Sequence, residues 1–237
     1  MTSPNHFHTF AGQDILTSTL STTIISLLHE SIAKNGRASL MVSGGSTPIQ
    51  LFKALSVSDL QWSKVDIGLV DERWVAPTDP DSNEHLVRSH LLQNNAAAAN
   101  FTGMKNSAQT ASHGELECTA AINTMHHPFD VLILGMGNDG HTASLFPGAE
   151  KLSQTTDMKS NAICMGIAPV TAPHERMTLT LPAILKAKNI FLHITGQNKK
   201  DVFTSAQTNG PAEEMPIRFI LQQQQENHIN FNIYWAP

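Results

Sequence analysis

Three short polar segments carry residue types that could do chemistry. Ser43-Gly44-Gly45-Ser46-Thr47-Pro48 separates the apolar run Ala38–Val42 from Ile49, Leu51, Phe52 and Leu55. Paired glycines let a backbone approach a ligand closely. Backbone N–H groups at a helix N-terminus, joined by the Ser43, Ser46 and Thr47 hydroxyls, favour an anion such as phosphate. An ordinary strand-to-helix turn capped by Ser46 or Thr47 fits the same six residues. In Gly135–Gly148, GMGNDGHTASLFPG, Asp139 and His141 stand two residues apart, with Gly137 and Gly140 around them. A histidine so placed can take a proton from water and return it to a leaving group, and a nearby carboxylate can orient the ring or raise its basicity. A spectator histidine in a surface loop is the competing reading. The length of the loop, its glycines and its place at a strand end favour chemistry. Asp71-Glu72-Arg73 closes a third apolar run and reads either as a site or as a solvated ion pair worth little. Arg176 and Lys199 are isolated cations near strand ends, either surface charges or partners for a phosphate.

Other chemistries fit less well. GMGNDG matches the GxGxxG dinucleotide fingerprint, but Pro147 interrupts the helix that the third glycine should open. The acid at about the right distance, Asp157, lies in polar sequence instead of at a strand end, and the motif falls past mid-chain. SGGSTP lacks the spacing and lysine of a GxxxxGK[ST] loop. Twelve histidines against 15 Lys plus Arg raise metal binding, yet no ligand pattern follows. His6 and His8 fall in an N-terminal stretch expected to be a mobile tail. His126-His127 precedes Pro128 and reads as a helix cap. Asp79, Asp81 and Asn83 imitate the start of a calcium loop, but Glu84 and His90 stand where glycine and glutamate are required. His29-Glu30 is followed by Ser-Ile-Ala and makes no HExxH.

The elements that must hold these segments follow from hydrophobic periodicity. Leu16, Leu20, Ile24, Leu27, Leu28 and Ile32 predict a helix over 13–34, with Asp14 near its cap and Gly36 as its stop. Strands are predicted at 38–42, 65–70, 129–134, 163–168, 177–181, 190–194 and 229–235. Helices are predicted after Pro48, at 86–92, and near 115–126, 182–188, 198–207 and 215–225, the last ending in QQQQ. AAAA at 96–99 reads as a helix tail or a linker. Apolar strands alternating with helices argue an α/β fold with a mainly parallel central sheet flanked by helices. Ligands of such sheets bind beyond the carboxyl ends of the strands, where all three polar segments lie. The 237 residues, 41% hydrophobic and 15% charged, fit a globular chain without extended disorder. Neither repeats nor an interdomain linker are visible, so one domain over 1–237 is expected. A net charge of −5 gives no general attraction to nucleic acid or an anionic membrane surface. Two cysteines make no disulfide framework. No apolar run approaches a membrane span, and MTSPNHFHTF lacks the features of a signal peptide. A soluble, cytoplasmic protein is the expectation.

Taken in order, VSGGSTP (42–48), DERWV (71–75), DSN (81–83), GMGNDGHTASLFPG (135–148), ERMTLTLPAIL (175–185) and ITGQNK (194–199) resemble the 6-phosphogluconolactonases. The resemblance covers about residues 40–200, and its GxGxDGHTASLFP block is specific. It implies a Rossmann-like fold of the phosphosugar-binding superfamily. It implies hydrolysis of 6-phospho-D-glucono-1,5-lactone to 6-phosphogluconate, the second step of the oxidative pentose phosphate pathway. His141 matches the family's general base, with Asp139 as its orienting partner. Gly44, Gly45, Ser46 and Thr47 match a phosphate loop, and Arg176 and Lys199 match cations around the phosphate. Arg73 matches a substrate-contacting arginine, and Asp71 belongs to the same segment, with its role against that of Glu72 left open. The implied partner is a small phosphosugar lactone, with no covalent intermediate, metal or organic cofactor. Two alternatives stand beside this reading. Glucosamine-6-phosphate deaminases of the same superfamily carry GHIAFNEP and DEY, where this chain has Phe146 in place of the glutamate and Arg73 in place of the tyrosine. A non-catalytic phosphosugar sensor would carry a DNA-binding helix-turn-helix, for which the roughly 35 residues before the first predicted strand leave little room.

Overall fold

The computed structural model describes residues 6–170, 172–227 and 229–237. In chain order the elements are β1 (His6–Thr9), α1 (Gln13–Asn35), β2 (Ala38–Val42), α2 (Ile49–Ser56), β3 (Val65–Leu69), β4 (Asp71–Arg73), α3 (Asn83–His90), β5 (Asn100–Thr102), α4 (Glu115–Asn123), β6 (Val131–Leu134), α5 (Leu152–Thr155), β7 (Cys164–Ile167), β8 (Arg176–Leu179), α6 (Leu181–Leu185), β9 (Ile190–Thr195), α7 (Gln197–Ala206), α8 (Ile217–Asn227) and β10 (Phe231–Ala236).

Seven strands form one sheet in the order β1-β10-β9-β6-β2-β3-β5, every pair parallel. The expected α/β architecture is therefore present. The central strands are mostly apolar because both of their faces are covered. β2, β3 and β6 are buried at every position. From β2 the chain builds outward through β3 to β5. It then crosses to the other side of β2 and builds outward through β6, β9 and β10. The direction of winding reverses between β2 and β6, and their carboxyl ends diverge to leave a crevice there.

Three further strands, β4-β8-β7, pair antiparallel in a small second sheet. The segment read as the polar end of a strand, Asp71-Glu72-Arg73, is itself β4 of this sheet. Val70 is the crossing point. Its N–H donates to Val42 in the large sheet, and its carbonyl accepts from Leu179 in the small one. One buried apolar cluster runs from α1 (Leu16, Leu20, Ile24, Leu28) through β2, β3, β6 and β9 to Met177 and Leu179 of β8.

Most predicted elements recur with shifted ends. The first helix stops where predicted, at Gly36, whose φ of 76° only glycine adopts freely. Its N-cap is Gly12, with Asp14 in the first turn instead. Pro48 takes the N-cap of α2 and not its first turn. The third helix starts at Asn83, three residues before the predicted 86, because the Ser82 side chain accepts from the His85 N–H and caps it. Three strands were not foreseen, β4, β5 and β1. His6-Phe7-His8, expected in a mobile tail, pairs parallel with β10 and packs Phe7 on Phe203 and His8 on Tyr234. Its burial is slight, and four residues of alternating histidine carry no apolar run that periodicity could register.

Candidate active site

A cavity of about 280 Å³ opens at the crevice between β2 and β6. It is lined from the ends of four strands, with Ser43–Pro48 after β2, Asp71 and Arg73 from β4, Gly135–Gly137 and His141 after β6, and His193 and Lys199 from β9 and α7.

The loop after β2 is shaped by its glycines. Gly45 has φ 90°, and a side-chain carbon on Gly44 would lie 1.8 Å from Asn83 Oδ1. The turn therefore brings its backbone against the N-terminus of α3. Ser43 donates its hydroxyl to the Ile133 carbonyl at 3.0 Å, which ties the end of β2 to β6. Ser46 and Thr47 then face the cavity at the start of α2.

The loop after β6 builds a rigid turn around one imidazole. Gly137 donates to the His141 carbonyl at 2.8 Å, and Thr142 Oγ1 donates to the Gly135 carbonyl at 2.8 Å. His141 Nδ1 lies 2.6 Å from Asp139 Oδ1, which also accepts the His141 backbone N–H at 3.1 Å. Burial pushes the Asp139 carboxyl up, but the bonds from His141 and its charge outweigh this and hold it at about 2. The carboxylate is then ionised at any working pH and can only accept. Nδ1 must carry the proton, and Nε2 is left as the basic nitrogen. The Phe146 ring, 4.2 Å away at 31°, backs the imidazole.

β4 divides its three charged residues between two faces. Glu72 is fully buried and turned from the cavity. Its carboxylate accepts the backbone N–H groups of Arg73 (2.7 Å), Asn83 (2.7 Å) and Glu84 (2.8 Å) and the Ser82 hydroxyl (3.0 Å). Burial raises the Glu72 carboxyl against these bonds, which favour its charge. It holds the N-terminus of α3 against β4. Asp71, on the opposite face, accepts the Ser144 hydroxyl at 2.6 Å, and so joins β4 to the histidine loop. Arg73 donates to the Asp81 carbonyl at 2.5 Å. No salt bridge joins Asp71, Glu72 and Arg73 among the described residues.

The family model for glucosamine-6-phosphate isomerases/6-phosphogluconolactonase matches residues 11–230. The chain belongs to this family. Among its relatives, a 6-phosphogluconolactonase of Rhizobium meliloti is 38% identical over 232 residues, which are 98% of this chain and 99% of that one. One of Neisseria meningitidis is 39% identical over 97% of this chain and 98% of its own. The crystal structure of a 6-phosphogluconolactonase from Shewanella baltica superposes with a TM-score of 0.95 at 41% identity, covering all of both chains.

Within this family fold, the residues expected to form a site come together unequally. Gly44, Gly45, Ser46, Thr47, Asp71, Arg73, His141 and Lys199 all line the cavity, and Asp139 stands behind His141. Lys199 is partly buried, which pushes its ammonium down, while the Asp139 charge opposes this. Arg176 pairs with Arg73 across β4 and β8 and lies outside the lining. It is buried, and its Nη1 has no hydrogen-bond partner among the described residues. Burial and then the Arg73 charge push its guanidinium down, against Asp71, Glu72 and Asp81.

Two lining residues escaped sequence reasoning. Asn83 was noted only as part of DSN and as a calcium-loop imitation, yet its side-chain amide donates to the Asp71 carbonyl at 2.8 Å. His193 falls in the segment 190–194, read only as a strand, and it forms part of the cavity wall. A histidine inside the otherwise apolar run IFLHIT was the available signal. His228 lies outside the described residues.

Burial pushes the His193 imidazole down to about 4 from 6.5. Between these two values the unfolded chain binds a proton that the folded chain does not, so stability falls as pH falls through this window. From pH 7 to pH 5 the expected loss from this one group is about 2 kcal/mol. Urea unfolding at the two pH values should show it in the wild type and should show it diminished by that amount in His193→Leu. An equal pH dependence in both would disprove it.

Proposed function

We propose that this chain hydrolyses 6-phospho-D-glucono-1,5-lactone to 6-phospho-D-gluconate in the second step of the oxidative pentose phosphate pathway. The observation that carries the reading is His141, its Nε2 freed by Asp139, in one cavity with the Ser43–Pro48 loop and Lys199. An anion-binding end and a basic end are what a phosphorylated ester requires. Family membership and the named relatives support the same reaction.

His141 Nε2 takes a proton from a water as that water's oxygen bonds to the lactone carbonyl carbon. The imidazolium returns the proton to the ring oxygen as the bond from the carbonyl carbon to that oxygen breaks. The new carboxylic acid then ionises, so one proton is released per turnover. Asp139 holds the ring in the right tautomer and stabilises its charged form. The phosphate sits on the backbone N–H groups of Gly44, Gly45, Ser46 and Thr47 and the hydroxyls of the last two, with Lys199 as its direct cation and Arg176 supporting from beside Arg73. Arg73 and Asp71 border the sugar. An activated ester needs a base and oxyanion stabilisation, and we assign the reaction no metal or organic cofactor. We place it on a single domain, residues 1–237, in the cytoplasm, with no nucleic-acid or membrane partner.

Proton release from the lactone, above its spontaneous hydrolysis, tests the reading directly. Faster release of ammonia from glucosamine 6-phosphate than of acid from the lactone would replace it with the deaminase. Lys199→Ala removes a charge-assisted contact, so KM for the lactone and Ki for 6-phosphogluconate should each rise roughly 10- to 100-fold with a smaller change in kcat. Unchanged affinity would take Lys199 out of the phosphate site.

A further inference from the structure

His193 is a cavity residue that the proposed reaction leaves without a task. It sits two residues before the end of β9, with Leu192 and Ile194 on either side, and is 4% exposed. Nδ1 is sealed from solvent and has no hydrogen-bond partner. Among the described residues Nε2 has no partner either, and it is not sealed in the same way. Buried polar atoms in folded proteins are paired in the large majority. An apolar side chain would fill this place without leaving nitrogens unpaired. An imidazole kept in a ligand cavity with both nitrogens free is therefore an open hydrogen-bonding position.

The surroundings determine what it can bond. The two carboxylates nearest the reaction are already engaged, Asp71 by Ser144 and Asp139 by His141. No acid is paired with His193, and burial in apolar surroundings keeps the ring neutral. A neutral imidazole has one N–H. On Nδ1 that proton would be a sealed, unpaired donor, so it belongs on Nε2, where it can be given away. Lys199 stands beyond the strand end, in the first turns of α7, while His193 lies deeper, in the strand itself. The phosphate belongs with the cation and the glycine loop, and the carbon chain of the sugar lies over the strand ends between that loop and His141.

We propose that His193 donates a hydrogen bond from Nε2 to a hydroxyl of the bound sugar and is a specificity-determining residue of this site. The assignment rests on the phosphosugar lactonase reading. It makes His193 a binding and positioning residue, with no share in the proton transfers.

His193→Phe keeps a ring and removes both nitrogens, and His193→Gln keeps a donor. For His193→Phe, KM for the lactone and Ki for 6-phosphogluconate should rise about tenfold, with kcat within about threefold of wild type. Ki for inorganic phosphate, which has no sugar hydroxyl, should be unchanged and reports that the cavity is intact. His193→Gln should recover most of the lost affinity. Should His193→Phe not fold, His193→Leu supplies the same comparison. Unchanged KM and Ki in the apolar variant would overturn the contact and leave His193 a packing residue. A parallel rise in Ki for inorganic phosphate would overturn it too, by moving the contact to the phosphate. Absence of lactone turnover by the wild type would instead overturn the proposed reaction and this contact with it.

Discussion

Replacing His141 by alanine should lower kcat for the lactone by roughly 10²- to 10⁴-fold, the range for loss of a positioned general base. KM and Ki for 6-phosphogluconate should stay within a few-fold of wild type, because the Ser43–Pro48 loop and Lys199, proposed to hold the phosphate, follow β2 and lie in α7, while the imidazole's hydrogen bond goes to Asp139. The side chain is 29% exposed, so its removal leaves no closed cavity in the core. Asp139 would lose the bond and the charge that hold its carboxyl at about 2, and its value should rise. Steady-state kinetics corrected for spontaneous hydrolysis, with product inhibition measured in parallel, separate the two effects. Near-wild-type turnover in this variant would sink His141 as the base.

Gly137→Ala should be nearly as damaging without touching a titratable residue. A side-chain carbon at this position would lie 2.1 Å from His141 Nδ1, 2.2 Å from its Cε1 and 2.6 Å from Asp139 Oδ1. Its backbone is not in the left-handed region, so alanine is permitted by its dihedrals and excluded by its neighbours. Something must give, and it is the 2.6 Å bond between the ring and the carboxylate, since Phe146 closes one side of the ring. The imidazole then loses the partner that fixes its tautomer and direction. We expect kcat to fall about 100-fold, as misplacement of a reacting group does, with little change in Ki for 6-phosphogluconate. A variant with wild-type kcat would show that the pair tolerates displacement and that its geometry is not what activates the water.

The contrast between Asp71 and Glu72 shows why part of the site was hidden. Read as a loop, the segment offers two equivalent acids. As a strand, its side chains alternate. Asp71 and Arg73 face the cavity, and Glu72 turns inward to cap α3. Three residues are too short for periodicity to declare a strand. What makes them one is pairing with β8, whose residues are more than a hundred positions away. His193 was hidden by the opposite effect. An apolar run with one histidine reads as core, and only the crevice above β9 makes that histidine accessible to a ligand.

What the sequence determined by itself is the local structure. Glycine conformations, a cap, and an aspartate two residues before a histidine act within a few residues, and so SGGSTP and GMGNDGH were legible as a glycine turn into a helix and as a turn that sets an aspartate beside a histidine. The alternation of apolar runs with helical periods was enough for the parallel α/β class. Only the tertiary structure decided which strands are neighbours, and with that which loops meet. The reversal of winding between β2 and β6 sets these two loops side by side, and the crossing at Val70 carries Arg73 to them. It also placed Arg176 beside Arg73 on the neighbouring strand and His193 in the wall. Strand order depends on contacts between residues far apart in the chain, and no short stretch of sequence carries that information.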